Sequence, residues 1–463
     1  MSNYAGKKIA VLRGYPRLID GESTSVEELF NWGKKNDVEF HTYYLHAEWK
    51  RKKPEYKDGY KHEHTIFNKS MIEEISEEIN SKYDLVILIN PAKPHSGLKP
   101  IDVLAFHKLY LSLTPVKIQI QLTSFVKAIN ETPFCWSYIN HSDAVFNWST
   151  DSWYMNSMVK KLPSKKDRAL PVHMWMNILD YKDFSKNEER DLNLTYVGRF
   201  VLYKGPKRLL NISEAVNSNG IKPVIYGMDP SIGCKKMMLD HPNCNNLLNP
   251  KAPRNENPIV DTYGRIEREE VLNIFNKSLF ACTLFKYKSE IDKSFYGDRL
   301  EYTMIEAIMA GSILVVDKEW AETCKTIDGT KYIDIPNFAI YMDESYPGDA
   351  IQKMKEVAAD PELQRKYRET AFNTIVKEYD SSIAIPKWLN ALFSITKDPY
   401  KFSTDKELVK YLTDSDELSE KFVEIYEDGN LIPMTSKTIS QGKISIYTGK
   451  SGKAIREYQG GTQ

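Results

Sequence analysis

The sequence predicts an α/β protein of two doubly wound units facing a cleft, with a small extension at the C-terminal end. Three observations carry this reading. Short apolar runs recur along the chain, each followed by a loop and then a stretch of helical periodicity. That alternation starts twice, near Lys8 and again near Leu192, with a polar, charged stretch at 180–191 between the two starts. And 463 residues exceed what one ordinary core accommodates. The expected divisions are 1–185, 186–380 and 381–463.

In the first half, KIAVL at 8–12 is a strand, and it runs into Arg13-Gly14 and the polar loop GESTS at 21–25. Residues 26–35 have the periodicity of an amphipathic helix, and 38–44 read as a second strand. Residues 71–80 are helical, 83–90 (YDLVILIN) a buried strand, 101–113 a helix, and 116–121 (VKIQIQ) and 144–148 (AVFNW) two more strands. Residues 152–161 read as a helix, and 169–172 close the half. The second half repeats the pattern: strands at 192–197, 222–226, 279–284 and 313–316, and helices at 209–217, 268–278 and 300–309. Gly311 stands where a C-cap glycine belongs. In such sheets ligands sit beyond the carboxyl ends of the strands, so the loop around Gly14 is expected to face the cleft.

Composition narrows the function classes. Hydrophobic residues are 41% and charged residues 27%, a globular balance. No apolar run approaches the roughly 20 residues that span a bilayer. The five cysteines are scattered without CxxC spacing, which points to a reducing cytoplasm and no structural zinc. Net charge is zero, which argues against a protein coated in basic charge and leaves room for local basic patches. Two are present. Lys50, Arg51, Lys52 and Lys53 lie between Trp49 and Tyr56, and Lys160, Lys161, Lys165 and Lys166 precede Arg168. A basic cluster beside aromatics suits a nucleic-acid backbone. A solvated connector and a solvated helix end account for the two clusters equally well.

Two stretches of the second half carry chemistry. The first is a strand followed by GRFVLYKG at 198–205. It sets Arg199 and Lys204 between glycines that let backbone approach closely. The guanidinium fork and the ammonium point charge both suit a pyrophosphate. The second is YGDRLEYTMIEAIMAGSILVV at 296–316. Here acidic and hydroxyl side chains stand at the N-terminal end of a helix whose free N–H groups attract phosphate. A carboxylate one turn in, Glu306, suits a vicinal diol such as a ribose. Tight turns with surface charges explain either stretch alone. Together, on one edge of one sheet, they outline a nucleotide-diphosphate pocket.

The order of these motifs resembles nucleotide-sugar glycosyltransferases of the GT-B class, and within it the DNA α-glucosyltransferases of T-even phages. The resemblance rests on GRFVLYKG at 198–205, YGMDPSIG at 226–233, RLEYTMIEAIMAG at 299–311 and the first strand running into Arg13-Gly14. It covers about residues 7–395, thinly in the first half. It implies that Arg199 and Lys204 neutralise a departing diphosphate, with Glu301 toward the sugar or orienting the two cations. Tyr302 and Thr303 would offer donors, Glu306 would grip the ribose, Met228 and Asp229 would frame the uracil, and Gly14 and Gly198 would border the donor. The resemblance further implies a retaining enzyme that takes a UDP-sugar, needs no metal or other cofactor, and works on double-stranded modified DNA in the cytoplasm of an infected cell, as a monomer. It also implies a C-terminal helix that returns to the first unit.

The chain departs from that family in places. A His-Asp pair expected after the VKIQIQ strand is replaced by Leu122-Thr123-Ser124; if that pair touches the sugar or the acceptor, the contact is altered here, which leaves UDP-glucose or a UDP-pentose as donor, and 5-hydroxymethylcytosine or its glycosylated form as acceptor. Asp298 stands eight residues before Glu306, as in many other GT-B enzymes. The tail from about Phe402 is extra, with a small β piece expected at 443–447. Two other functions compete: a GT-B enzyme acting on a cell-surface glycan or lipid, and a non-catalytic protein that kept the fold. The first calls for a basic, aromatic amphipathic helix, and none stands out.

Overall fold

The computed structural model describes residues 4–13, 21–45, 63–89, 100–121, 135–147, 152–172, 175–181, 189–199, 204–228, 259–264, 266, 268–285, 300–404, 407–408, 411, 425–427 and 430–432. The chain forms two compact units, one of Met1–Trp175 with Ile385–Gln463 and the other of Met176–Ala384.

The first unit is built on a seven-stranded sheet: β1 (Lys7–Arg13), β2 (Val38–Leu45), β3 (His64–Phe67), β4 (Leu85–Ile89), β5 (Val116–Gln121), β6 (Ala144–Asn147) and β7 (Ala169–Pro171). Their order is β3-β2-β1-β4-β5-β6-β7, and every pair is parallel. All five residues of β4 are buried, which is why it reads as an unbroken apolar run rather than an alternating one. Helices Ile72–Lys82 and Pro100–Ser112 cover one part of the sheet; Ile75, Ile79, Phe106 and Leu109 pack on Ala10, Leu12, Val86 and Leu88.

Three local differences from the sequence reading have physical causes. The first helix spans Gly21–Lys35, so the GESTS segment is its first turn and not a loop. Small polar residues favour helix starts, which makes a loop and a first turn look alike in sequence. Helix Cys135–His141 buries every residue except His141, so it shows no amphipathic period to detect. The expected helix over 152–161 breaks. Ser152 caps helix Trp153–Ser157 through Met155 N–H, and Met158, at φ −129° and ψ −64°, turns the chain into the 3-10 segment Val159–Lys161.

The second unit repeats the design with six strands: β8 (Asp191–Arg199), β9 (Lys222–Met228), β10 (Asp261–Tyr263), β11 (Ser278–Thr283), β12 (Ile313–Asp317) and β13 (Ile340–Met342). Their order is β10-β9-β8-β11-β12-β13, again parallel throughout. The strand order reverses between β8 and β11, and a doubly wound sheet opens a crevice at the carboxyl ends of such a pair. The core fills from Leu194, Phe280, Ile313 and Val315 on the strands against Leu209, Ile212 and Val216 of helix Pro206–Ser218. Strands β3, β10 and β13 are only three or four residues long, too short to show a period in sequence. The chain ends, within the described residues, on an antiparallel hairpin of β14 (Ile425–Glu427) and β15 (Asn430–Ile432). The β piece expected at 443–447 lies outside the described residues.

Candidate functional site

The two chemical stretches flank the crevice of the second unit. After β8 the chain reaches Lys204 and Gly205 and enters helix Pro206–Ser218. After β11 it returns at Leu300 and Glu301 and enters helix Tyr302–Met309. The switch point therefore sets two helix N-termini beside the β8/β11 edge, the ends of a helix where N–H groups lack intrahelical partners.

Lys204 and Glu301 meet across this edge. Lys204 Nζ donates to Glu301 Oε2 at 2.8 Å, with 23% and 26% of the two side chains exposed. Glu301 is the N-cap residue of helix Tyr302–Met309, yet its side chain makes no capping bond. The carboxylate turns to the lysine instead. Tyr302, Thr303 and Glu306 are half-buried on that helix, while Met304, Ile305, Ala307, Ile308 and Met309 are buried beneath them. Gly311, at φ +79°, ends the helix as its spacing predicts, and Ser312 N–H closes on Ala307 O at 2.9 Å.

Gly205 is required where it stands. Its φ is +78°, and a Cβ there would fall 2.3 Å from Leu284 O, the carbonyl just past β11. That close approach carries Lys204 up to the neighbouring strand. Gly198 and Arg199 end β8 and pair in register with Gly227 and Met228 at the end of β9, so three of the predicted positions, Gly198, Arg199 and Met228, share one sheet edge. Asp229 and Gly14 lie outside the described residues, as do Lys50, Arg51, Lys52 and Lys53.

The second basic cluster, on the first unit, needs correction at one residue. Lys161 and Lys166 are exposed, and Lys160 is half-buried with its Nζ on Asn156 Oδ1 at 3.0 Å. Lys165 is fully buried and ion-paired to Asp398, so no phosphate reaches it. The run KK at 165–166 straddles a 3-10 turn, which sends one lysine inward and its neighbour outward. Arg13 is likewise buried, with its guanidinium 5.8 Å from the Tyr44 ring, rather than open to ligand.

Arg208 was not singled out from sequence. Its guanidinium donates from Nε to Glu344 Oε2 at 2.6 Å, from Nη1 to Leu284 O at 3.0 Å and from Nη2 to Asp317. Burial disfavours its charge, but the Asp317 and Glu344 carboxylates outweigh this and raise its pKa. A signal was present: a cation in the first turn of a helix sits at the wrong end of the dipole, so it calls for carboxylates nearby. Among the described residues there is no group of three or more His, Cys, Asp or Glu placed to hold a metal ion, and no helix long and apolar enough to cross a membrane.

No protein-family model matches the chain. The DNA alpha-glucosyltransferase of Enterobacteria phage T4 is 23% identical over 349 residues, which cover 69% of this chain and 85% of that one. An α-glucosyltransferase solved with UDP and a 13-mer DNA containing a HMU base superposes with a TM-score of 0.67 at 17% identity, covering 84% of this chain and 100% of the other. The protein has the GT-B fold. A glycosyltransferase from Rickettsia africae ESF-5 shares it more distantly, with a TM-score of 0.54 at 12% identity over 85% of this chain. The chain thus resembles the phage DNA α-glucosyltransferase in sequence and in fold, as its motifs predict. In GT-B terms, the Lys204–Glu301 pair lies on the unit that carries both glycine-bounded cations and the acidic helix.

Proposed function

We propose that the protein is a retaining glycosyltransferase that moves a sugar from a UDP-sugar onto a modified base of double-stranded phage DNA. The donor is UDP-glucose or a UDP-pentose, and the acceptor is 5-hydroxymethylcytosine or a sugar already attached to it. The observation that carries this reading is the Lys204–Glu301 contact. It joins the two loops of the crevice at a helix N-terminus, on the fold of an enzyme solved with UDP and DNA.

In this reading Arg199 and Lys204 bring two positive charges to the diphosphate. Charge accumulates on the bridging oxygen as the bond from the anomeric carbon to phosphate breaks, so fixed cations there stabilise the transition state more than the ground state. Glu301 holds the lysine head in place. Backbone N–H groups at Tyr302 and Thr303, with the Thr303 hydroxyl, meet the phosphate oxygens, and Glu306 takes the ribose diol. Met228 and Asp229 frame the uracil. The acceptor hydroxyl attacks the anomeric carbon from the side the diphosphate leaves, and its proton passes to the leaving phosphate oxygen. Configuration is then retained. Lys160, Lys161 and Lys166, with Lys50, Arg51, Lys52 and Lys53, are the proposed contacts to the DNA backbone, and the enzyme acts as a monomer in the host cytoplasm.

One mass-spectrometry experiment tests the proposal. The protein is incubated with hydroxymethylated, glucosylated and pentosylated DNA, each with UDP-glucose and UDP-pentoses, and the DNA is digested to nucleosides. The expected result is a nucleoside heavier by one hexose or one pentose. Release of UDP without any change in the DNA would move the acceptor to a glycan or lipid. No UDP release with any acceptor would reduce the claim to the fold.

A further inference from the structure

Arg208 is a three-way tie at the crevice. Each face of its guanidinium is spent on a different element: Leu284 O past β11, Asp317 at the end of β12, and Glu344 past β13. Its partners are engaged in turn. Asp317 Oδ1 caps helix Lys318–Thr323 through Trp320 N–H at 2.9 Å, and Glu344 Oε1 accepts from Asn211 Nδ2 at 2.6 Å. The arginine side chain is only 12% exposed, and its donors point into the unit. It is therefore poorly placed to act as a phosphate ligand itself.

Its geometry bears on Lys204. Arg208 lies in the first turn of helix Pro206–Ser218, four residues past Lys204, and Gly205 is the N-cap between them. Leu284 O receives both Arg208 Nη1 and the close approach of Gly205. The fork thus pins the start of this helix to the ends of three neighbouring strands. Lys204 leaves that pinned start and reaches Glu301 across the switch point. The geometry points to Arg208 as a positioning residue: through its tie to Leu284 O, Asp317 and Glu344 it holds Lys204 where a nucleoside diphosphate binds. This rests on the nucleotide reading above. An arginine is suited to the task because its planar fork fixes direction as well as distance, which a lysine ammonium does not.

A double-mutant cycle on UDP affinity tests it, read by equilibrium titration extended to high UDP concentration. Arg208→Lys keeps the charge and loses the fork. It is expected to weaken UDP binding about tenfold in the wild-type background and hardly at all in Lys204→Ala, the coupling expected when one residue acts through another. Equal loss in both backgrounds would overturn the positioning role and leave the nucleotide reading intact. Wild-type protein that binds no UDP would overturn the nucleotide reading, and the inference with it. If Arg208→Lys does not fold, Glu344→Gln takes its place in the same cycle. It removes one anchor of the fork, and the same two outcomes decide.

Discussion

Lys204 Nζ and Glu301 Oε2 lie 2.8 Å apart although 97 residues separate them in sequence. The contact joins the two motifs read from sequence beside the switch point of the second sheet. Because both side chains are about a quarter exposed, the pair adds little to stability and is better understood as preorganisation.

If the pair meets the leaving diphosphate, Lys204→Ala and Arg199→Ala should each lower kcat roughly 10²–10³-fold with the fold intact, the loss expected for one charge-stabilising donor. Glu306→Ala should act mainly on donor affinity. Steady-state kinetics with circular dichroism on the same samples separates these effects. Near-normal turnover of Arg199→Ala would remove it from the mechanism.

Gly205→Ala should destabilise the second unit. Alanine at φ +78° is strained by about 1–3 kcal/mol, and its Cβ meets Leu284 O besides. Thermal unfolding should show a lower Tm, and UDP binding should weaken together with it. A variant as stable as wild type would mean that the approach of Gly205 to Leu284 is dispensable.

Lys165→Met should cost about 3–5 kcal/mol, because it leaves the Asp398 carboxylate buried without its lysine counterion. The double variant Lys165→Met with Asp398→Leu should recover much of that loss. Denaturant titration of the two variants gives the comparison. Loss of DNA affinity without loss of stability in Lys165→Met would restore the surface role that burial excludes.

Lys117 makes stability depend on pH. Burial, and then the charges of Lys401 and Lys397, bring its pKa from 10.5 down to about 7. The folded state then sheds this proton first. Between pH 7 and the unfolded value the unfolded state binds more protons, so this group's contribution to stability rises with pH. Below pH 7 both states are protonated, and the folded state bears the full cost of a buried ammonium. Lys117→Met should therefore stabilise most at pH 6 and much less at pH 9. Urea titrations at both pH values check this, and an equal gain at each would show that Lys117 is not the group responsible.

Most of the fold was legible because its signals are local. β4 (Leu85–Ile89) announces itself as a buried run, β5 (Val116–Gln121) as an alternating strand, and Gly311 marks the end of its helix by position alone. The elements that were not legible lack a period: strands of three residues such as β10 and β13, and helix Cys135–His141, buried at every residue but its last. Within the site, the glycines and cations of 198–205 and the acidic helix start were visible from residue type and spacing. Arg208 was not, since what defines it is the company of Asp317 and Glu344, more than 100 residues away.

The sequence by itself therefore determined the α/β class, the two restarts of the sheet and the two stretches bearing charge for a nucleotide. Each depends on neighbours within a few turns of chain. Tertiary structure alone decided which charges meet. It paired Lys204 with Glu301 and turned Lys165 inward to Asp398 while Lys166 stayed in solvent. Residue type states that a lysine carries a charge. Only the packing of distant segments states whether that charge is buried against a carboxylate or held open at a crevice, because its energy depends on the local dielectric and on partners that the chain supplies from far away.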